Sequence, residues 1–216
     1  MKIDKVDVIN AGHEDAWKYF TSAYNGYEAM RAYRHMIKDC IDRKKANFES
    51  IRKGEAEISE KEKYSFPTGD FIKIDGINMS LSFLVSVYTQ SFFQFGRNFF
   101  DYIAQIITAF YCQGINFYHV DFGTVANKKD SITDEHVPKY IEDIITSEEY
   151  KDLCDYKNTV KHSYALYVSI YMKVGNMDLI GKIPSFEKDL SLYNVADIDE
   201  KLKKDHQFLL INMGIC

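Results

Sequence analysis

The sequence predicts an all-α fold in a single domain, and three observations carry that expectation. Proline occurs only 3 times and glycine 11 times in 216 residues, too few breakers and turn formers for a fold of many short strands. Two long proline-free stretches, one before Gly54 and one after Ser80, carry apolar residues at mostly three-and-four spacing. Hydrophobic residues make up 46% of the chain, enough to bury one sizeable core, and the length suits one large domain better than two small ones.

The chain opens on a short β-branched run, Ile3, Val6, Val8 and Ile9. From His13 to about Lys53, the spacing of Trp17, Phe20, Tyr24, Tyr27, Ile37, Ile41, Phe48 and Ile51 predicts one long amphipathic helix. Gly54 and the charged run Glu55 to Lys63 end it or extend it as a solvated piece, so residues 1–63 read as an accessory N-terminal segment. Arg43, Lys44, Lys45, Arg52 and Lys53 are interrupted by Asp42, Glu49 and Glu55, which suits a solvated face better than a basic surface. Pro67, Gly69 and Gly76 mark a turn-rich connection, inside which Phe71 to Ile74 reads as a short strand.

A central helix is predicted over Ser80 to Cys112. Its residues are mostly apolar except for a line at Gln90, Gln94, Arg97, Asp101 and Gln105, which advances by three or four residues and so occupies one face. Such a stripe is ordinarily the solvent side; the alternative is that it lines a site. Arg97 and Asp101, four apart, are placed for an ion pair.

Gly114 to Lys129 reads as a connection containing an extended run from Phe117 to Phe122. Thr133 or Asp134 then caps a helix through Ile145. Ser147 starts another, with Glu148 and Glu149 at its positive end, running to about Val174 before Gly175, Gly181 and Pro184. Residues 176–216 close the chain, with a helix over Asp197 to Asn212.

A net charge of −5 gives no general attraction for polyanions, so contact with nucleic acid must be local. Sixteen tyrosines and 15 phenylalanines can fill a core and also supply a subunit contact. Cys40, Cys112, Cys154 and Cys216 are widely spaced with no paired motif, which suits reduced thiols in a cytoplasm. The chain shows no export signal at its start and no membrane span. His119 with Asp121, and Asp134-Glu135-His136, lack a recognised ligand spacing, so no metal is expected. No phosphate loop, dinucleotide glycine pattern or serine elbow is present, and no cofactor is indicated.

On an ideal helix, Leu153, Tyr156, Val160, Tyr164, Tyr167, Tyr171 and Val174 form an apolar stripe facing the core. Lys151, Asn158, His162, Ala165 and Ser169 lie on the other side, as ordinary surface or a subunit contact with an imidazole at its edge.

The run Lys157-Asn158-Thr159-Val160-Lys161-His162-Ser163-Tyr164 resembles the motif of HEPN-domain proteins, in which an arginine, often followed by a polar residue, precedes a histidine with four to six residues between them. The order around it adds to the likeness: a long aromatic helix with Asp101 midway, a connection with Phe117 and Val120, Glu148-Glu149-Tyr150, then Asp155-Tyr156 before the motif. That order is similar to the Cthe2314-like branch and covers roughly residues 80 to 175.

The resemblance implies a bundle of four or five helices forming a homodimer in which two motifs share a cleft. It implies a metal-independent endoribonuclease in a toxin-antitoxin or phage-defence setting, with RNA and an antitoxin-like protein as partners. His162 would exchange a proton with the ribose 2′-hydroxyl, Lys157 would stabilise charge on the phosphate, and Asn158 would orient either. Asp101 would lie near Lys157 or His162 and position it. Tyr164 is either a core residue or, as in some toxins of this class, a modification site. The chain departs from the pattern in carrying Lys157 where the family has arginine, which loses the planar fork that grips two phosphate oxygens. In a straight helix Lys157 and His162 also point about 140° apart. Two other readings stand beside this one. The same face could serve a catalytically silent protein-interaction module, or Gln94, Arg97 and Asp101 could line a small-ligand site.

Overall fold

The computed structural model describes residues 14–52, 71–112, 120–132, 134–162, 169–172, 179–182 and 202–209, with backbone alone at 14, 15, 48, 51, 52, 159–162, 169–172 and 179–182. The helices are α1 (Glu14–Arg52), α2 (Leu81–Tyr111), α3 (Phe122–Asn127), α4 (Val137–Thr146), α5 (Glu148–His162) and a short α6 over 202–209. Two small antiparallel hairpins accompany them: β1 (Phe71–Ile74) with β2 (Ile77–Ser80), and β3 (Ser169–Met172) with β4 (Leu179–Lys182). The fold is predominantly helical with a long N-terminal helix, as the sequence predicts. No helix among the described residues is long and apolar enough to cross a membrane.

The helix boundaries follow from local chemistry. Ser80 Oγ accepts from Phe83 N at 3.3 Å and starts α2. Asp134 Oδ1 accepts from His136 N and Val137 N at the entrance to α4, where Pro138 in the first turn has no N–H that would need an acceptor. Ser147 Oγ accepts from Tyr150 N at 3.2 Å and opens α5. Asp121 caps α3, so Phe122 begins a helix instead of ending the extended run expected there; Phe117 to His119 lie outside the described residues.

The described residues group into two compact units. One comprises those within Met1–Arg31, Phe92–Asn158 and Lys204–Cys216. Its core is aromatic: Phe93 stacks on Tyr156 at 3.8 Å between centroids, and Phe100 meets Phe122, Tyr150 and Phe208 at 5.1–5.8 Å. Each ring taken from water contributes on the order of 2 kcal/mol. Leu153 and Tyr156 are buried, as the apolar stripe of α5 predicts. Gly96 of α2 marks a close approach, since a Cβ there would lie 2.7 Å from Leu153 Cδ2 and 2.8 Å from Met30 Cε.

The second unit comprises described residues within Ala32–Ser91 and Thr159–Lys203. Ile37, Cys40 and Ile41 of α1 and Leu81, Leu84 and Val85 of α2 are buried there. Lys44 Nζ donates to Ser82 Oγ at 2.8 Å, and Arg43 and Lys38 pair along the helix with Asp39 and Asp42 on an exposed face. β1 and β2 are joined by Asp75 at φ 47° and Gly76 at φ 84°, a two-residue turn with both φ positive, whose twist matches that of the strands.

Two expectations are corrected. The strand at Phe71–Ile74 is present, but it is half of a hairpin whose second strand, Ile77–Ser80, was expected as loop. The helix expected to run to Val174 is described over Glu148–His162 and does not reach Val174, because Ser169–Met172 is a strand paired with Leu179–Lys182. Spaced tyrosines and β-branched residues suit either element, and strand pairing decides the matter. The face imagined from Lys151 to Ser169 is therefore not one helical face. Tyr164, Ala165, Tyr167 and Val174 lie outside the described residues, as do the N-terminal run and the charged segment after Gly54.

Candidate functional site

The polar line of α2 is not a simple solvent face. Gln94 is exposed and bonded to Asn98, but Arg97 is 8% exposed. Its guanidinium has two partners. Nη1 donates to Asp101 Oδ1 one turn along α2, Cζ lies 5.5 Å from the centre of the Tyr150 ring, and Tyr150 is itself buried. Burial disfavours the guanidinium charge, but the Asp101 charge and hydrogen bond together with nearby Tyr150 and Cys154 outweigh it, so the Arg97 pKa lies above its ordinary value. Burial pushes the Tyr150 phenol up, which keeps it neutral, and likewise raises the Cys154 thiol one turn further along α5.

Asp101 is the centre of the arrangement. Oδ1 accepts from Arg97 and from Phe122 N at 3.2 Å, while Oδ2 accepts from Lys157 Nζ at 3.4 Å. One carboxylate therefore joins the central helix to the first turn of α3 and to the motif lysine on α5. Lys157 and Asp101 retain side-chain exposures of 23% and 21%, so the pair sits at the edge of the core. Of the two placements expected for Asp101, the contact with Lys157 is present. Lys157 is a half-buried, paired cation and not an ordinary surface lysine.

Asp121 stands beside the group. Its Oδ1 accepts from Thr124 N at 2.7 Å and from Thr124 Oγ1 at 2.8 Å. Burial opposes its ionisation, but the two Thr124 donors, helped by the Arg97 and Lys157 charges, hold its carboxyl below the usual range. Asn158 is exposed on α5. His162 is the last described residue of that helix, and its side chain, like all of Tyr164, lies outside the described residues.

Tyr150 and the Phe122 amide were missed as site members. The signal for Tyr150 was present, because it lies seven residues before Lys157 and so on the same side of α5. The Phe122 contact had no sequence signal. Arginine, lysine and two carboxylates in this arrangement can hold one ammonium in a fixed place beside solvent. The fold and site thus define a helical protein with a buried arginine–aspartate pair that tethers a lysine of a second helix. No protein-family model, curated protein or solved structure matches this chain.

Proposed function

We propose that this is a HEPN-like protein whose motif helix engages the phosphodiester of RNA and cleaves it without a metal, as a homodimer in a toxin-antitoxin or phage-defence setting. The observation that supports this reading is the contact of Lys157 Nζ with Asp101 Oδ2 at 3.4 Å. A lysine that had merely drifted into the motif would be free in solvent. This one is tethered five residues before His162 by a carboxylate that is itself anchored to buried Arg97. A fixed ammonium can stabilise charge growing on a phosphate oxygen as the ribose 2′-oxygen attacks phosphorus. An imidazole, whose ordinary pKa is near neutrality, suits removal of the 2′-hydroxyl proton and its return to the departing 5′-oxygen.

The test is RNA integrity and growth on expressing the full chain beside His162→Ala and Lys157→Ala, with each purified protein also incubated with RNA in chelator. Wild type is expected to degrade RNA in chelator, His162→Ala to leave it intact, and Lys157→Ala to be slower by roughly 100-fold. Intact RNA and normal growth with folded wild type would sink the reading.

One observation favours a silent interaction module instead. Arg97 and Lys157 are matched by Asp101 and Asp121, leaving no excess positive charge among these four groups. In that case the network serves to hold α5 in register, and both alanine variants behave as wild type toward RNA.

A further inference from the structure

We propose that the open side of α2 is a nucleobase subsite, which takes an unpaired base of a single-stranded nucleic acid. Asn98, Asp101, Tyr102 and Gln105 follow one another at i, i+3, i+4 and i+7, so they share one side of α2, and all four are partly exposed. Phe99, Phe100 and Ala104, which point elsewhere, are buried. Two helices flank the open side. Asp101 meets Lys157 of α5 there, and Tyr102 meets Tyr19 of α1.

The chemistry of this strip selects an uncharged, planar ring with hydrogen-bonding edges. The Tyr19 and Tyr102 rings are 6.5 Å apart with planes tilted by 30°, against 3.8 Å for the stacked Phe93 and Tyr156 of the core. Neither tyrosine therefore closes the face of the other, and a heterocycle can stack on Tyr102. Gln105, at i+3 from Tyr102, is partly exposed, and its Oε1 makes no hydrogen bond. A turn of that amide presents the acceptor to the exocyclic amino group of a base. Asn98 Oδ1 already accepts from Gln94 Nε2 at 2.9 Å, so Gln105 is the amide left open. Charge points the same way. Arg97 and Lys157 are offset by Asp101 and Asp121, so a run of phosphates finds no excess positive charge here, whereas a neutral base needs none. A duplex stacks and pairs its bases and turns its phosphates outward, so the strand that fits is single. The inference rests on the preceding reading in that the base belongs to the strand whose phosphodiester Lys157 engages; it needs neither His162 nor cleavage.

The experiment titrates the full chain into fluorescent single-stranded oligodeoxynucleotides, which lack the 2′-hydroxyl and so report binding alone, and reads anisotropy beside the matching duplex. Wild type is expected to bind the single strand at least about 10-fold tighter than the duplex, with little loss as salt rises. Tyr102→Leu should weaken the single strand about 10-fold, and Tyr102→Phe, which keeps the ring, should stay within about 2-fold of wild type. Gln105→Leu should weaken adenine and cytosine oligomers about 5-fold and leave oligothymidine, which has no exocyclic amino group, unchanged. Tyr24→Leu, at an exposed ring of α1 outside the strip, should bind as wild type. Folding of each variant is checked by circular dichroism, and if Tyr102→Leu does not fold, the base dependence of Gln105→Leu decides. Oligonucleotide binding with RNA uncleaved removes the nuclease reading and leaves this one. Failure of wild type to bind, equal affinity for duplex, an unchanged affinity in folded Tyr102→Leu, or a loss in Gln105→Leu that is equal for all bases overturns the proposal. A folded Tyr102→Leu that turns a dimer into a monomer in sedimentation while binding oligonucleotide as wild type also overturns it, and makes a second copy of the chain the occupant.

Discussion

Replacing Asp101 by alanine removes the partner of a guanidinium whose side chain is only 10% exposed. Breaking a buried pair from one side leaves an uncompensated charge, at a cost of about 3 kcal/mol. The Phe122 amide loses its acceptor, worth about 1 kcal/mol, and the partly exposed Lys157 contact adds only about 0.5 kcal/mol. The total of about 4.5 kcal/mol is a large share of a typical domain stability of roughly 5–15 kcal/mol. Asp101→Asn retains an acceptor and should cost about half as much, and Lys157→Met about 0.5 kcal/mol. Urea unfolding followed by far-ultraviolet circular dichroism gives all three values. A cost below about 1 kcal/mol for Asp101→Ala would refute the reasoning, as would a Lys157→Met cost equal to it.

Two further predictions concern the surroundings of the site. Gly96→Ala gains about 1 kcal/mol of helix propensity but drives a methyl toward buried Leu153 and Met30, at a cost of about 2 kcal/mol, so a melting temperature lower by about 3 °C is expected; a higher one shows that the two side chains yield freely. Asp121 has a folded-state pKa depressed below its unfolded value, so its contribution is present above about pH 4 and is lost as pH falls through the folded value. The stability advantage of wild type over Asp121→Asn should therefore be full at neutral pH and shrink as pH falls below about 4, as read from urea midpoints on acidification; an advantage that grows on acidification contradicts the Thr124 contacts as its source.

The sequence alone determined the two long helices, because a proline-free run with apolar residues at three-and-four spacing buries its apolar side in only one regular way. Ser80, Asp134 and Ser147 were legible as helix starts because each acts on amides two or three residues away. The first hairpin was only half legible: Phe71 to Ile74 read as a strand, but Ile77 to Ser80 was expected as loop although Asp75-Gly76 before it is a two-residue turn signal.

Tertiary structure decided what the polar side of α2 does. A stripe of Gln94, Arg97, Asp101 and Gln105 has the same spacing whether water or another helix covers it, so periodicity cannot distinguish the two. The separation of 56 residues between Asp101 and Lys157 also carries no local signal. Only the packing of α5 on α2, close enough at Gly96 that a methyl would strike Leu153, brings the lysine to the aspartate and seals the arginine beneath them.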